Sequence, residues 1–340
     1  MEEGMALVLG ATGGIGGETA AALLRRGWKV RALARDPAKA AGQWPVGVAR
    51  PEWIAGDAMD AASVVAAARG VSLIVHAVNP PGYRNWKTLV LPMIDSTIQA
   101  AEASGARIVL PGTVYNYGPD AFPDLVESSP QRPLTRKGSI RAQMEQRLRQ
   151  AADRGVRTLI VRAGDFFGPR AGNNWFSQGL VKAGQPLSSI SDPGLPGVSH
   201  QWAYLPDVAE TIVQLVERED SLARFDSFHM GGHWDADGNR MQAAIREASG
   251  RPDLPVRRFP WWLVTLASPF VPVFRELREM RYLWQQPVRL CNARLLSVLG
   301  HEPHTPLAVA VATTLAGLDC LPRVPDAIAS SRKRGAPGRA

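Results

Sequence analysis

Cysteine is almost missing from this chain: two residues in 340, Cys291 and Cys320, with no metal-ligand spacing between them. That argues against a disulfide framework and a cysteine-built zinc site, and it fits a reducing, cytoplasmic setting. Long apolar runs are missing too. The nearest approach, Phe259–Phe274, is sixteen residues broken by Pro260, Pro269 and Pro272, short of the ~20 residues of a membrane span. It reads as a wall of a substrate lobe or a buried packing segment, with peripheral membrane contact as the lesser alternative. The opening Met1-Glu2-Glu3 lacks the basic start of a secretory signal, so none is expected. The spacing of His229 and His233 alone supports no metal site, and no metal is expected.

Acidic residues are outnumbered, 31 against 39 basic ones, for a formal charge of +8. The excess is not a nucleic-acid footprint. Arg323, Arg332, Lys333, Arg334 and Arg339 against Asp326 place four of those eight charges in a tail. That tail, residues 321–340, has the composition of a disordered segment. No helix-turn-helix, zinc-finger or RNP pattern accompanies the charge, so no nucleic-acid partner is expected.

The chain does hold a glycine turn in an informative place. An apolar run, Met5–Leu9, breaks at Gly10, and Gly13 and Gly16 complete a GxxGxxG spacing before an Ala-rich stretch, Thr19–Leu24. Glycine serves three needs there: a tight turn, close backbone approach to a pyrophosphate, and close helix–strand packing. The helix that follows points unpaired N–H groups and its positive dipole end at the same place. Gly10, Thr12, Gly13, Gly14, Ile15 and Gly16 are therefore the expected diphosphate seat. A second strand, Trp28–Ala34, ends in Arg35-Asp36-Pro37. An acidic group at that point binds the ribose 2′-OH of NAD, whereas an arginine accommodates the 2′-phosphate of NADP. Arg35 points to NADP; Asp36 on the ribose is the NAD alternative.

Strands and helices then alternate as in a doubly wound α/β sheet of Rossmann type. Further strands are expected at Glu52–Ala55, Ser72–Ala77, Arg107–Leu110 and Arg157–Val161, and helices at Thr88–Ala103 and about 140–152. Ligands bind beyond the carboxyl ends of such strands, where Asp57, Ala58, Ala77, Val78, Asn79 and Thr113 fall. Residues 1–165 read as the NAD(P)-binding domain. Residues 166–320 read as a smaller, mostly helical substrate lobe interleaved with the last Rossmann elements at about 200–232. Within it, 166–174 and 184–199 read as loose loop.

Five segments in this order resemble the extended short-chain dehydrogenase/reductase family, also called the NAD-dependent epimerase/dehydratase family. They are Gly10–Gly16, Gly56-Asp57, Thr113–Gly118, Arg162–Pro169 and Trp202–Ala209. The resemblance implies a Ser/Thr, a tyrosine and a lysine in a YxxxK pair, with the tyrosine passing a proton while the nicotinamide passes a hydride. Thr113 matches the Ser/Thr and would hold the substrate oxygen. The tyrosine is absent. Registered on Ala142-x-x-Glu145, Lys137 stands in its place and Arg141 in that of the lysine, four residues apart on one helical face. Such departures resemble atypical members of the superfamily.

Arg141 can bond ribose hydroxyls but cannot release a proton near neutrality. Lys137 can act as an acid or base if burial lowers its pKa; otherwise both are plain cations. Asp165 stands where extended members often carry an asparagine, and it is a candidate acid/base or a partner for Lys137. Tyr115, two residues beyond Thr113, is the best-placed tyrosine, ahead of Tyr117 and Tyr204. His76 reads as a core or coenzyme-proximal residue, while His229 and His233 could reach a substrate.

The leading expectation is an NADPH-dependent oxidoreductase acting on a small carbonyl or alcohol. The alternatives are sugar-nucleotide epimerase or dehydratase chemistry and a non-catalytic NADP-sensing regulator. The family likeness also implies a homodimer built on the helices near 88–103 and 140–152.

Overall fold

Alternating apolar residues drive the sheet. In Met5–Leu9 (β1), Leu7 and Leu9 face one layer of helices while Ala6 and Val8 face the other, as the two-residue strand period requires. The computed structural model describes residues 4–80, 86–172 and 174–321. In chain order, α1 (Gly14–Arg25), β2 (Lys29–Ala34), α2 (Pro37–Gln43), β3 (Glu52–Ala55) and α3 (Ala61–Ala67) follow β1. Next come β4 (Leu73–His76), α4 (Trp86–Ser104), β5 (Arg107–Gly112), β6 (Asp124–Leu125), α5 (Arg136–Asp153) and β7 (Thr158–Arg162).

The second half contributes β8 (Asp165–Phe167), β9 (Ile190–Asp192), β10 (His200–Tyr204), α6 (Leu205–Val216), β11 (Phe225–His229) and β12 (His233–Asp235). It ends with α7 (Arg240–Ser249), β13 (Val256–Arg258), α8 (Trp261–Ala267), α9 (Pro272–Met280), β14 (Arg289–Leu290), α10 (Ala293–Leu299) and α11 (Leu307–Gly317).

The main sheet is seven-stranded in the order β11-β7-β5-β4-β1-β2-β3, with its pairs parallel. This is the doubly wound Rossmann sheet read from the sequence. On one face Val8, Val75 and Val109 pack with Leu23 of α1 and Val208 and Ile212 of α6. On the other, Leu9, Ile74 and Ile108 pack with Val64, Ile94 and Leu148 of α3, α4 and α5. Parallel strands need both faces covered, and these two layers cover them.

A second core holds Phe167, Phe176, Trp202, Tyr204, Ile245, Trp284 and Leu315. Several of the ten tryptophans meet there: Trp175 lies with its ring centroid 5.2 Å from that of Trp284 and 5.9 Å from that of Trp261.

Two expectations are corrected. The stretches at 166–174 and 184–199 are not wholly loop, because β8 pairs in parallel with β10 and β9 with β13. These short strands carry too few residues for a period to show. The segment 259–274 is not fully buried: Trp261 and Val264 face inward, but Trp262, Leu266 and Phe270 are 71%, 67% and 85% exposed. No helix among the described residues is long and apolar enough to cross a membrane. The basic tail lies outside the described residues from 322 on.

Candidate functional site

A cleft of 1080 Å³ runs across the carboxyl ends of the central strands, just above the usual ~300–1,000 Å³ of ligand sites. Its middle is the glycine turn. Gly10 takes φ +91°, and a Cβ there would lie 2.6 Å from the Ala77 carbonyl oxygen. A Cβ at Gly16 would lie 2.2 Å from the Gly10 carbonyl oxygen. Only glycine lets α1 start this close to β1. Gly13 caps α1 without a side-chain hydrogen bond and no acid occupies the first turn, so the helix start suits an anionic group. The residues therefore fit a dinucleotide diphosphate.

Gly10, Thr12, Gly13, Gly14, Ile15, Arg35, Asp57, Ala58, Ala77, Val78, Asn79 and Arg141 all border the cleft. Gly16 stands behind the turn as its spacer. At one end Arg35 and Lys39 are exposed. Asp36 next to them is engaged as the cap of α2, its Oδ1 accepting from Lys39 N at 2.9 Å.

At the other end stand Thr113, Arg141, Phe166 and Met93. Beneath Thr113 lies a buried polar network. Arg162 donates through Nη1 to the Thr113 carbonyl oxygen at 2.5 Å and through Nη2 to both Glu145 oxygens at 2.8 Å. Glu145 also accepts from Asn116 Nδ2 at 2.9 Å and Gln131 Nε2 at 2.6 Å. Both carboxylate oxygens are thus partnered, as a buried charge requires. Glu145 enters the sequence argument only as a register mark; its contact with Arg162 is what ties α5 to the end of β7.

The remaining expected residues are placed elsewhere. Lys137 is buried, 3.1 Å from Glu276 of α9, and shares the Trp86 ring with Arg141. Burial pulls its ammonium below the ordinary lysine range, opposed by the Glu276 carboxylate. Lys137 therefore sits beside the cleft lining instead of in it. Asp165 is turned away: His200 Nε2 lies 2.9 Å from its Oδ2, and His200 borders a separate 130 Å³ cavity, stacked on Trp284. It does not partner Lys137. Tyr115 packs against the small cluster around Leu125 and Leu283. Tyr117 is fully buried, its hydroxyl 3.2 Å from His229 Nε2, and Tyr204 packs on Phe167.

His229 is buried and cannot reach a substrate: its Nε2 receives Arg162 Nε–H at 3.3 Å while its Nδ1 lies 3.2 Å from the Leu125 carbonyl oxygen. His233 is buried against His304. His76 does border the cleft, with Nδ1 2.8 Å from Thr97 Oγ1. Among the described residues no group of three or more His, Cys, Asp or Glu could hold a metal.

These histidines give a pH prediction. Burial lowers His76 to about 3, His229 to about 3 and His233 to about 4. In the unfolded chain each binds a proton near 6.5. The unfolded state therefore takes up protons first on acidification, and stability falls as pH drops from about 6.5 toward 3. Urea midpoints should be flat above pH 7 and decline steadily below 6.

One contact escapes sequence reasoning. Glu18 of α1 is buried and accepts a two-pronged pair from Arg170, Nε at 2.9 Å and Nη2 at 2.6 Å. It fastens the glycine-turn helix to the loop carrying Ala171, Gly172 and Asn174, which border the cleft from the far side.

The family described as NAD(P)H-binding matches residues 10–183. No curated protein matches the sequence. Similar solved structures span nearly the whole chain. MoeE5, in complex with UDP-glucose and NAD, has a TM-score of 0.69 at 20% identity, covering 92% of this chain and 98% of that one. A UDP-glucose 4-epimerase from Stenotrophomonas maltophila has a TM-score of 0.70 at 16% identity, with coverage of 94% and 98%. A dTDP-glucose 4,6-dehydratase from Streptomyces venezuelae has 0.69 at 19%, with coverage of 92% and 96%. At these identities the likeness is one of fold. With the glycine turn, the open helix start and the matched span of residues 10–183, the chain belongs to the NAD(P)H-binding family, on the fold of the extended short-chain dehydrogenase/reductases.

Proposed function

We propose that this protein is an NADPH-dependent oxidoreductase that reduces a small carbonyl compound. The observation that carries it is the single cleft that begins at Arg35, passes the glycine turn and ends at Thr113 and Arg141. When bound, the dihydronicotinamide supplies the hydride. Thr113 Oγ1 holds the substrate oxygen, and its backbone is fixed from below by Arg162. Arg141 binds the coenzyme's ribose. Lys137, one turn before Arg141 on α5 and beside the cleft lining, is the candidate proton source by relay into the cleft: burial weakens its hold on the proton and Glu276 keeps it charged until needed.

The test is NADPH oxidation across a panel of aldehydes and ketones. Lys137→Met should lower kcat by ~10²–10⁴-fold, the usual range for a lost general acid. The protonated lysine is the active form, so activity falls on the alkaline side, below the pH at which a solvated lysine titrates. Glu276→Gln removes a contact that raises this pKa, so the alkaline limb moves to lower pH. Tight NADPH binding with no turnover on any substrate, indifferent to Lys137, would instead establish the sensing regulator.

The coenzyme preference rests on Arg35 and Lys39 beside an Asp36 already used as a helix cap. Charge-assisted bonds to a phosphate contribute about 1.5–3 kcal/mol. Arg35→Ala should therefore weaken NADPH by roughly ten- to hundredfold and leave NADH nearly unchanged, read by calorimetry.

A second reading, sugar-nucleotide epimerisation or dehydration, is favoured by the folds of MoeE5 and the dehydratase. It predicts conversion of a UDP- or dTDP-sugar with no net consumption of coenzyme.

A further inference from the structure

We infer that the α8–α9 hairpin docks this protein on an anionic membrane surface. Trp262, Leu263 and Leu266 fall within a ~100° arc of α8, and Phe270 continues the stripe through the turn. They are 71%, 43%, 67% and 85% exposed. The opposite side of the helix is anchored: Val264 and Ser268 are buried, and Trp261 donates its indole N–H to the Pro193 carbonyl oxygen at 2.8 Å. The apolar stripe thus projects from a fixed base.

Charge identifies the occupant. Residues 257–281 carry five arginines against two acids, Glu276 and Glu279. Both acids are engaged with α5: Glu276 lies 3.1 Å from Lys137 Nζ, and Glu279 receives the Arg136 N–H at 3.3 Å. Arg257 and Arg275, in the segments flanking the stripe, remain exposed, while Arg258 is held by Asp192 and Arg278 donates to Ser268 Oγ at 3.1 Å. An amphipathic element with tryptophan and leucine on one side and arginines beside them lies in the lipid interface, drawn by apolar burial and anionic headgroups. A second copy of the chain is disfavoured, because a twofold pairing of this patch sets the same arginines against each other.

Flotation of the full chain with vesicles tests this. It should float with equimolar phosphatidylcholine–phosphatidylglycerol vesicles, less with pure phosphatidylcholine, and less again at high salt. Trp262→Ser with Phe270→Ser should weaken binding by ~100-fold, and each of Arg257→Ser and Arg275→Ser by ~5-fold. These exposed substitutions should leave the circular dichroism and NADPH affinity unchanged, which separates lost docking from lost fold. Failure of the native chain to float would overturn the inference. So would flotation indifferent to the Trp262/Phe270 pair, or a native dimer that the same pair dissociates.

Discussion

Gly16→Val weakens coenzyme binding by about 100-fold, read by calorimetry with NADPH, because hydrogen bonds to a charged diphosphate contribute about 1.5–3 kcal/mol each and a displaced helix start loses them. A valine Cβ would sit 2.2 Å from the Gly10 carbonyl oxygen. That neighbour is backbone held in the turn, so the start of α1 must move, carrying its N–H groups off the diphosphate. The change acts on geometry alone, since no charge or hydrogen-bonding side chain is altered. Gly42→Ala is the matched control: open space surrounds its added methyl and helix propensity improves slightly, so affinity should stay within about twofold. Ordinary NADPH affinity in Gly16→Val would place the diphosphate somewhere other than this turn.

The second large effect is on stability. Arg162→Met strands the Glu145 carboxylate and removes a donor from the Thr113 carbonyl oxygen. With Arg162 and Glu145 side chains only 1% and 9% exposed, the loss should be about 3–5 kcal/mol, a large part of the 5–15 kcal/mol that separates folded from unfolded proteins. Urea unfolding at neutral pH reads it directly. Replacing both partners, Arg162→Met with Glu145→Met, should recover much of the loss, because no buried charge is then left alone. If the single and double variants unfold alike, the pair is not what holds the end of β7.

Local pattern made the sheet readable. Met5–Leu9 and Glu52–Ala55 are strands over the same residues that their apolar runs mark, and the glycine turn announces its own function through spacing. Contacts between distant segments left no such trace. The Glu276 partner of Lys137 comes from α9, and Arg170 reaches back to Glu18 on α1; neither follows from any period. The same limit explains Asp165. Its place after β7 suggested the reaction centre, but β8 pairs with β10 and turns the carboxylate to His200. Composition misled once, at 259–274. Apolar content there implied burial, although nothing in a sequence says which side of a short helix finds a neighbour.

The sheet is completed late. Strand β11 closes the flank of β7, and α6 lays Val208 and Ile212 over one layer of the core. A truncation after residue 165 would therefore bare a hydrogen-bonding edge and an aliphatic surface together, the combination that promotes aggregation. The two halves of this chain are expected to fold as partners, and neither is expected to survive as an excised fragment.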